Sequence, residues 1–232
     1  MSMRELLLSD MRRLMVVAPH ADDAELGAGG YMARTIDDGG VVLVVVLAVG
    51  PVYFPHLGRI VTAEERLAEM DAALKILGVQ DSAVFSRETD RRLDTVPTCE
   101  VVEYLDRLQE EFRPTELLIP LPSSHQDHVA AFRACIAASR PRTRGPELVA
   151  AYEYPASSWG EGPGETGRGG LYVEISPWIA QKLDALRQHE SQMRQDGHCF
   201  SIKAAEALAI MRGLESGLER AELFHVLRRV MR

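Results

Sequence analysis

The chain has few cysteines. Cys99, Cys135 and Cys199 are an odd number in 232 residues, lie far apart and form no C-x-x-C pair. The usage suggests a reducing compartment. Long hydrophobic runs are absent as well. The longest, Val41 to Val49, has nine residues, whereas a membrane span needs about 20, so no membrane partner is expected. The opening stretch MSMRELLLSDMRR has three leucines in a row but no signal-type apolar core, and no A-x-A cleavage site follows. No leader is read there, and the expected location is cytoplasmic. Basic residues are outnumbered, 26 Lys and Arg against 34 Asp and Glu, giving a net charge of −8. That argues against a general nucleic-acid or anionic-membrane binder.

What is present is ordinary globular composition, 46% apolar and 26% charged. This excludes disorder of the whole chain, a collagen-like chain and a coiled-coil rod. The length fits a single domain, residues 1–232.

The first half alternates strand-like and helix-like segments. Leu14 to Ala18, Val41 to Val49 and Leu117 to Ile119 are apolar runs without alternation, as expected of strands buried on both faces of a parallel sheet. Leu148 to Ala151 and Leu171 to Ile175 are further candidates. Between them, Leu67, Met70, Leu74 and Leu77 carry helical spacing. Thr62 and Glu65 form a capping-box signature, and Gly78 supplies the stop. Val101 to Phe112 reads as another helix, ending before Pro114. Ser176-Pro177 reads as the N-cap and first position of a third. The stretch from about Lys203 to Arg232 reads as helical with a break near Gly213 or Gly217. The segment of about 176–232 is thus expected as a helical part packed on the domain. The order predicts an α/β sandwich with a mainly parallel sheet. Ser157 to Gly170, with six glycines, reads as a solvated connector or as a mobile lid.

Two clusters carry chemistry. After the first strand the chain reads His20-Ala21-Asp22-Asp23-Ala24-Glu25. After the strand ending at Ile119 it reads Ser123-Ser124-His125-Gln126-Asp127-His128. Carboxyl ends of strands face the ligand crevice in open α/β sheets, so both clusters can converge there. A hydrolytic zinc site takes three protein ligands and leaves a position for water. His20, Asp23 and His128 would supply them. Asp22 and His125 would remain to move protons around a water whose pKa the metal lowers to about 7. The plainer reading is that Asp22, Asp23 and Glu25 cap one helix and Asp127 another. Two clusters together, each after a strand, favour the metal. Gly27-Ala28-Gly29-Gly30 is not a dinucleotide fingerprint, because the third glycine would fall at Met32. Close helix–sheet packing at Gly29 and Gly30 is the simpler account.

At these residues the sequence resembles the LmbE/PIG-L-like family of zinc-dependent N-acetylglucosaminyl deacetylases. Its signature is like HPDD with following glycines, then a distal HxDH. Weaker similarity lies in Arg66-Leu67-Ala68-Glu69, in Lys182 to Leu186 with His189, Ser191 and Gln192, and in Arg212-Gly213, Gly217 and Ala221 to Phe224. The resemblance implies a Rossmann-like three-layer α/β fold. It implies Zn2+, with Fe2+ or another divalent ion open, on His20, Asp23 and His128. It makes Asp22 the general base and His125, as an imidazolium, the group that stabilises the oxyanion or protonates the amine. It makes Asp127 the acid orienting a motif histidine. The implied substrate is an N-acetylated amino sugar or conjugate, and a homo-oligomer stays open. Ala21 replaces the usual proline, and Ser123 and Ser124 stand where a tyrosine is sometimes found.

Arg66 reads either as an ion-pair partner of Glu69 or as a contact to substrate. His189 reads either as a helix cap or as a substrate-side group. Tyr53 and Trp159 are candidates for stacking on a sugar ring. The rival functions are cleavage of another sugar-conjugate amide and non-catalytic sugar binding on the same fold.

Overall fold

β1 (Arg13–Ala18) runs into α1 (Asp23–Asp37), and β2 (Val41–Ala48) returns beside it. A hairpin of β3 (Val52–Phe54) and β4 (Arg59–Val61) leads to α2 (Ala63–Leu77) and β5 (Asp81–Ser86). After a 3-10 turn at Leu93–Thr95 come α3 (Thr98–Phe112), β6 (Glu116–Pro120), α4 (Gln126–Ala138) and β7 (Leu148–Tyr152). β8 (Gly170–Glu174), a 3-10 turn at Ser176–Trp178, α5 (Ile179–Arg187), α6 (Ile202–Ser216) and β9 (Ala221–Arg229) follow. The computed structural model describes residues 11–143, 145–156 and 170–231. Trp159 and the glycine-rich segment up to residue 169 lie outside them.

Among the described residues the main sheet has the order β5-β2-β1-β6-β7-β9-β8. The first five are parallel neighbours. β9 runs antiparallel to both β7 and β8. β2, VVLVVVLA, is buried at every position but its first, because helices cover both faces of the sheet. Along each strand, side chains go alternately to two cores. Leu14, Val16, Val44 and Val46 pack in one cluster with Met32 of α1 and Met70 and Leu74 of α2. Met15, Val17, Val45 and Leu47 pack in the other with Val101 and Leu105 of α3 and Ala134 and Cys135 of α4. The fold is therefore a three-layer α/β sandwich with a mostly parallel sheet.

Local signals hold in detail for α2. Thr62 and Glu65 form the reciprocal capping box, and Gly78 ends the helix in the left-handed region at φ 77°. Of the two glycines expected to pack closely on the sheet, Gly29 instead faces Lys182 of α5, 3.1 Å from an added Cβ, while Gly30 is tightly packed, as is Gly27. A Cβ on Gly27 would stand 2.0 Å from the Tyr152 ring, and one on Gly30 2.6 Å from Ile175.

The end of the chain corrects the helical expectation for 203–232. α6 stops at Gly217, in the left-handed region at φ 73°, and Ala221–Arg229 is a strand. Its first four residues are buried. β7 offers an open edge there, and pairing with it and with β8 outweighs local helix preference. The part after residue 176 is therefore not a helical appendage, since its last strand lies within the sheet. Ser176 opens a 3-10 turn rather than an α-helix, and its Oγ accepts the Arg220 N–H. β5 and the β3–β4 hairpin are additions to the pattern read from sequence.

β1 and β6 are adjacent, but the next helix and strand lead away from them in opposite directions along the sheet. Their carboxyl ends thus border the crevice of a topological switch point. Both clusters sit at those ends.

Candidate active site

His20 lies two residues beyond β1, and Asp22 is the N-cap of α1. Asp22 makes no side-chain cap hydrogen bond, so capping does not occupy its carboxylate. Asp23, in the first turn, turns back instead. Its Oδ2 accepts the His20 backbone N–H at 2.9 Å. The same oxygen lies 3.3 Å from His20 Nδ1 and 3.3 Å from His128 Nε2. His20, Asp23 and His128 thus place two nitrogens and one oxygen within 4.8 Å of one another. His128 Nδ1 is buried without a hydrogen-bond partner.

This donor set fits a divalent ion. Imidazole and carboxylate suit Zn2+ and Fe2+, and the orientation of His20 is backed from behind. Asp127 Oδ2 stands 3.0 Å from His20 Nε2. Such a carboxylate behind a ligating histidine fixes its ring and raises its basicity. Asp127 is fully buried and also accepts the amides of Arg91 at 2.7 Å and Leu93 at 2.9 Å. His20 and Asp127 also form a second grouping with His125.

The charges follow from these contacts. Burial works against a charged His20, but hydrogen bonds to Asp127 and Asp23 outweigh it, and its pKa rises to about 10. Burial pushes Asp23 upward, yet His128 and His20 hold it well below the usual carboxylate range. Asp22 is shifted up, by burial first and by the Asp23 charge second. His125 is shifted down, by burial and then by His20 and His128.

His125 is the N-cap of α4. Its Nδ1 accepts the Asp127 N–H at 3.2 Å. That contact leaves the proton of a neutral ring on Nε2. In the metal-free protein the lowered pKa and the cap both favour neutral imidazole.

These groups open into a cavity of about 700 Å³, within the usual range for small-molecule sites. His20, Asp22, Asp23, His125 and His128 line it, along with residues the sequence reading did not single out. Tyr154, just past β7, donates to Ser123 Oγ at 2.9 Å, and its ring centroid is 5.0 Å from that of His128. It brings a phenol to the region where Ser123 and Ser124 replace the tyrosine of the second motif. Phe54, Asp90, Arg91 and Arg194 also line the cavity. Phe54 ends β3, Asp90 and Arg91 follow β5 and Arg194 follows α5, and no spacing in the sequence links them to either motif.

Arg66 lines the cavity too and is only 3% exposed. It does not pair with Glu69. It donates to the Gly50 carbonyl and to Asp90, while its Nε is buried without a partner. Glu69 instead accepts from the amide and hydroxyl of Ser191 at 2.8 and 2.6 Å. His189 is buried behind the cavity wall, with Nε2 3.7 Å from Glu25 Oε2. It is outside the cavity lining, as is Tyr53, which is exposed.

The outlying motif residues serve as braces. Lys182 Nζ donates to Glu222 at 2.6 Å and to the Leu26 carbonyl at 2.9 Å. Glu222 accepts the amides of Gly30 and Tyr31, both at 2.8 Å. In an undisturbed helix the Gly30 amide would go to the Leu26 carbonyl. The buried pair thus grips α1 in its middle, downstream of Asp22 and Asp23.

The family profile described as GlcNAc-PI de-N-acetylase matches residues 15–139, which include both clusters. The chain belongs to the PIG-L family. The diacetylchitobiose deacetylase of Thermococcus kodakarensis is 28% identical, over 92% of this chain and 82% of its own length. The 1D-myo-inositol 2-acetamido-2-deoxy-alpha-D-glucopyranoside deacetylase of Streptomyces avermitilis is 25% identical, over 92% of this chain and 96% of its own. Among solved structures, a conserved protein from Thermus thermophilus superposes with a TM-score of 0.72. It is 27% identical and covers 96% of this chain and 97% of its own. These matches cover 92 to 96% of this chain, far more than the two motifs. Among the described residues, no helix is long and apolar enough to cross a membrane.

Proposed function

We propose that this protein is a metal-dependent hydrolase that removes acetyl from an N-acetylated amino sugar or an N-acetylglucosamine conjugate. The observation that carries the reading is the His20, Asp23 and His128 donor set in the same cavity as Asp22, a carboxylate that caps no helix amide. Naming of the relatives as deacetylases of acetylated amino sugars supports it.

His20, Asp23 and His128 would hold the ion, with Asp127 orienting His20. A bound divalent ion would polarise the acetamide carbonyl and lower the pKa of a water. Asp22, with its pKa raised by burial, takes the proton from the attacking water as general base. The same carboxyl then returns that proton to the departing amine as the C–N bond breaks, so the balance closes with acetate and a free amine. His125 remains neutral and donates its Nε2–H to the developing oxyanion. Tyr154 and His128 form part of the wall against which the acetyl group is held.

The test is product analysis. Purified metal-loaded protein is incubated with N-acetylglucosamine, diacetylchitobiose and N-acetylglucosaminyl glycosides. Equal amounts of acetate and primary amine are expected from at least one of them. Stoichiometric metal with no amine released from any would rule out the reading.

A further inference from the structure

Resting on that deacetylase reading, we propose that Arg91 and Arg194 form an anion subsite beside the reaction centre. The substrate would then be an acetylated amino-sugar conjugate with a carboxylate or phosphate on the part attached to the sugar. Both residues line the cavity, Arg91 from an exposed position. Both lie over the Phe54 ring, Arg91 at 5.9 Å and Arg194 at 5.5 Å from its centroid. Phe54 ends β3, so the hairpin supplies an apolar floor for two cations.

Neither cation is neutralised by the protein. No carboxylate among the described residues pairs with Arg91 or Arg194. Arg194 uses one Nη to reach the carbonyls of Ser191 and Gln192 and the ring of His56, and its other guanidinium nitrogens have no partner among the described residues. Asp22 lines the same cavity and acts on Arg194 through its charge without forming an ion pair with it, and the other nearby acids are already engaged. Asp90 is held by Arg66, Asp127 by His20 and two amides, and Asp23 by the histidines. In a chain of net charge −8, two unpaired guanidiniums in one cavity wall mark a place built for negative charge. A planar guanidinium fits carboxylate and phosphate oxygens in pairs.

Arg91 is also held there at a cost. Its φ is 62°, a region that residues other than glycine, asparagine and aspartate seldom enter. The second motif holds it in that conformation, because Asp127 accepts its amide and Gln126 donates to its carbonyl at 2.8 Å. The residues that orient the metal-site histidine therefore also aim this side chain at the cavity. Local strain of this kind is kept where surrounding contacts enforce it.

The experiment compares three N-acetylglucosamine glycosides on the metal-loaded enzyme: a neutral alkyl glycoside, one with a carboxylate on the aglycone and one with a phosphate. A hydrogen bond to a charged group corresponds to roughly a 10- to 100-fold preference. We expect kcat/KM at least about 10-fold higher for one charged glycoside, and the two charged arms identify which oxyanion is favoured. That preference should fall towards unity in Arg91→Asn and Arg194→Gln, and Arg91→Lys should keep part of it. Asparagine tolerates the left-handed backbone, so Arg91→Asn is chosen to fold. Equal kcat/KM for all three glycosides, or an undiminished preference in both variants, overturns the subsite. Calorimetric binding of the same glycosides to metal-free protein separates the two readings. Tighter binding of a charged glycoside without cleavage of any of them keeps the subsite and removes the deacetylase reading. Cleavage with no difference in binding removes the subsite alone.

Discussion

His20 Nε2 lies 3.0 Å from Asp127 Oδ2, across 107 positions of sequence. The other nitrogen of the same ring faces Asp23 at 3.3 Å. One imidazole thus joins the loop after β1 to the helix after β6. Asp127→Ala removes the orienting carboxylate and frees the amides of Arg91 and Leu93. Metal affinity should fall roughly 10–100-fold, measured by competition with a chelator of known affinity. Unchanged affinity would mean that His20 is held by something else.

The raised pKa of His20, about 10 against an ordinary 6.5, sets a pH dependence. A ligating histidine must be unprotonated, so an ion entering the metal-free site displaces this proton. Apparent affinity should rise with pH by about tenfold per unit from this group, up to about pH 10. Calorimetry in buffers of different ionisation heat should register about one proton released at neutral pH. Linkage runs the other way for the metal-free protein. A raised pKa gives stability that is full below 6.5 and is lost as pH rises to about 10. The metal-loaded protein should lack that decline.

Asp22 caps no helix amide and has a raised pKa. Asp22→Asn should lower kcat about 10²–10⁴-fold while bound metal stays at the wild-type level. Near-normal turnover with full metal occupancy would exclude it as the base.

Most of the fold was legible because β1, β2, β6 and the capped helix α2 have strong local signals. The convergence of His20, Asp23 and His128 was legible because they fall within two short motifs, each after a strand. β9 was not, because its partners β7 and β8 are distant in sequence and its own residues also suit a helix. The cavity's Tyr154, Arg91 and Arg194 were hidden for the same reason. Each comes from a different loop, and only the sheet brings them together. Arg66 and Glu69 have the spacing of a helical ion pair, yet Asp90 and Ser191 claim them from other elements.

Gly27→Ala sets helix propensity against packing. Alanine in a helix is favoured by about 1 kcal/mol over glycine. Here the added methyl would stand 2.0 Å from Tyr152, a fully buried ring tethered by its hydroxyl to the Val17 carbonyl at 2.9 Å. Overpacking costs about 1–3 kcal/mol, occasionally more, so the net effect should be destabilising. Thermal denaturation should show a lower Tm, and an unchanged or higher Tm would contradict the close contact.

If His20, Asp23 and His128 hold a metal on which hydrolysis depends, removing that metal must remove the activity. Activity on the preferred acetylated amino sugar should be measured before chelation, after it, and after returning Zn2+ or Fe2+, with metal content followed throughout. The expected result is loss of amine release on chelation and recovery at about one ion per chain, with no recovery in His20→Ala. Full activity in metal-free protein would exclude a metal-dependent reaction.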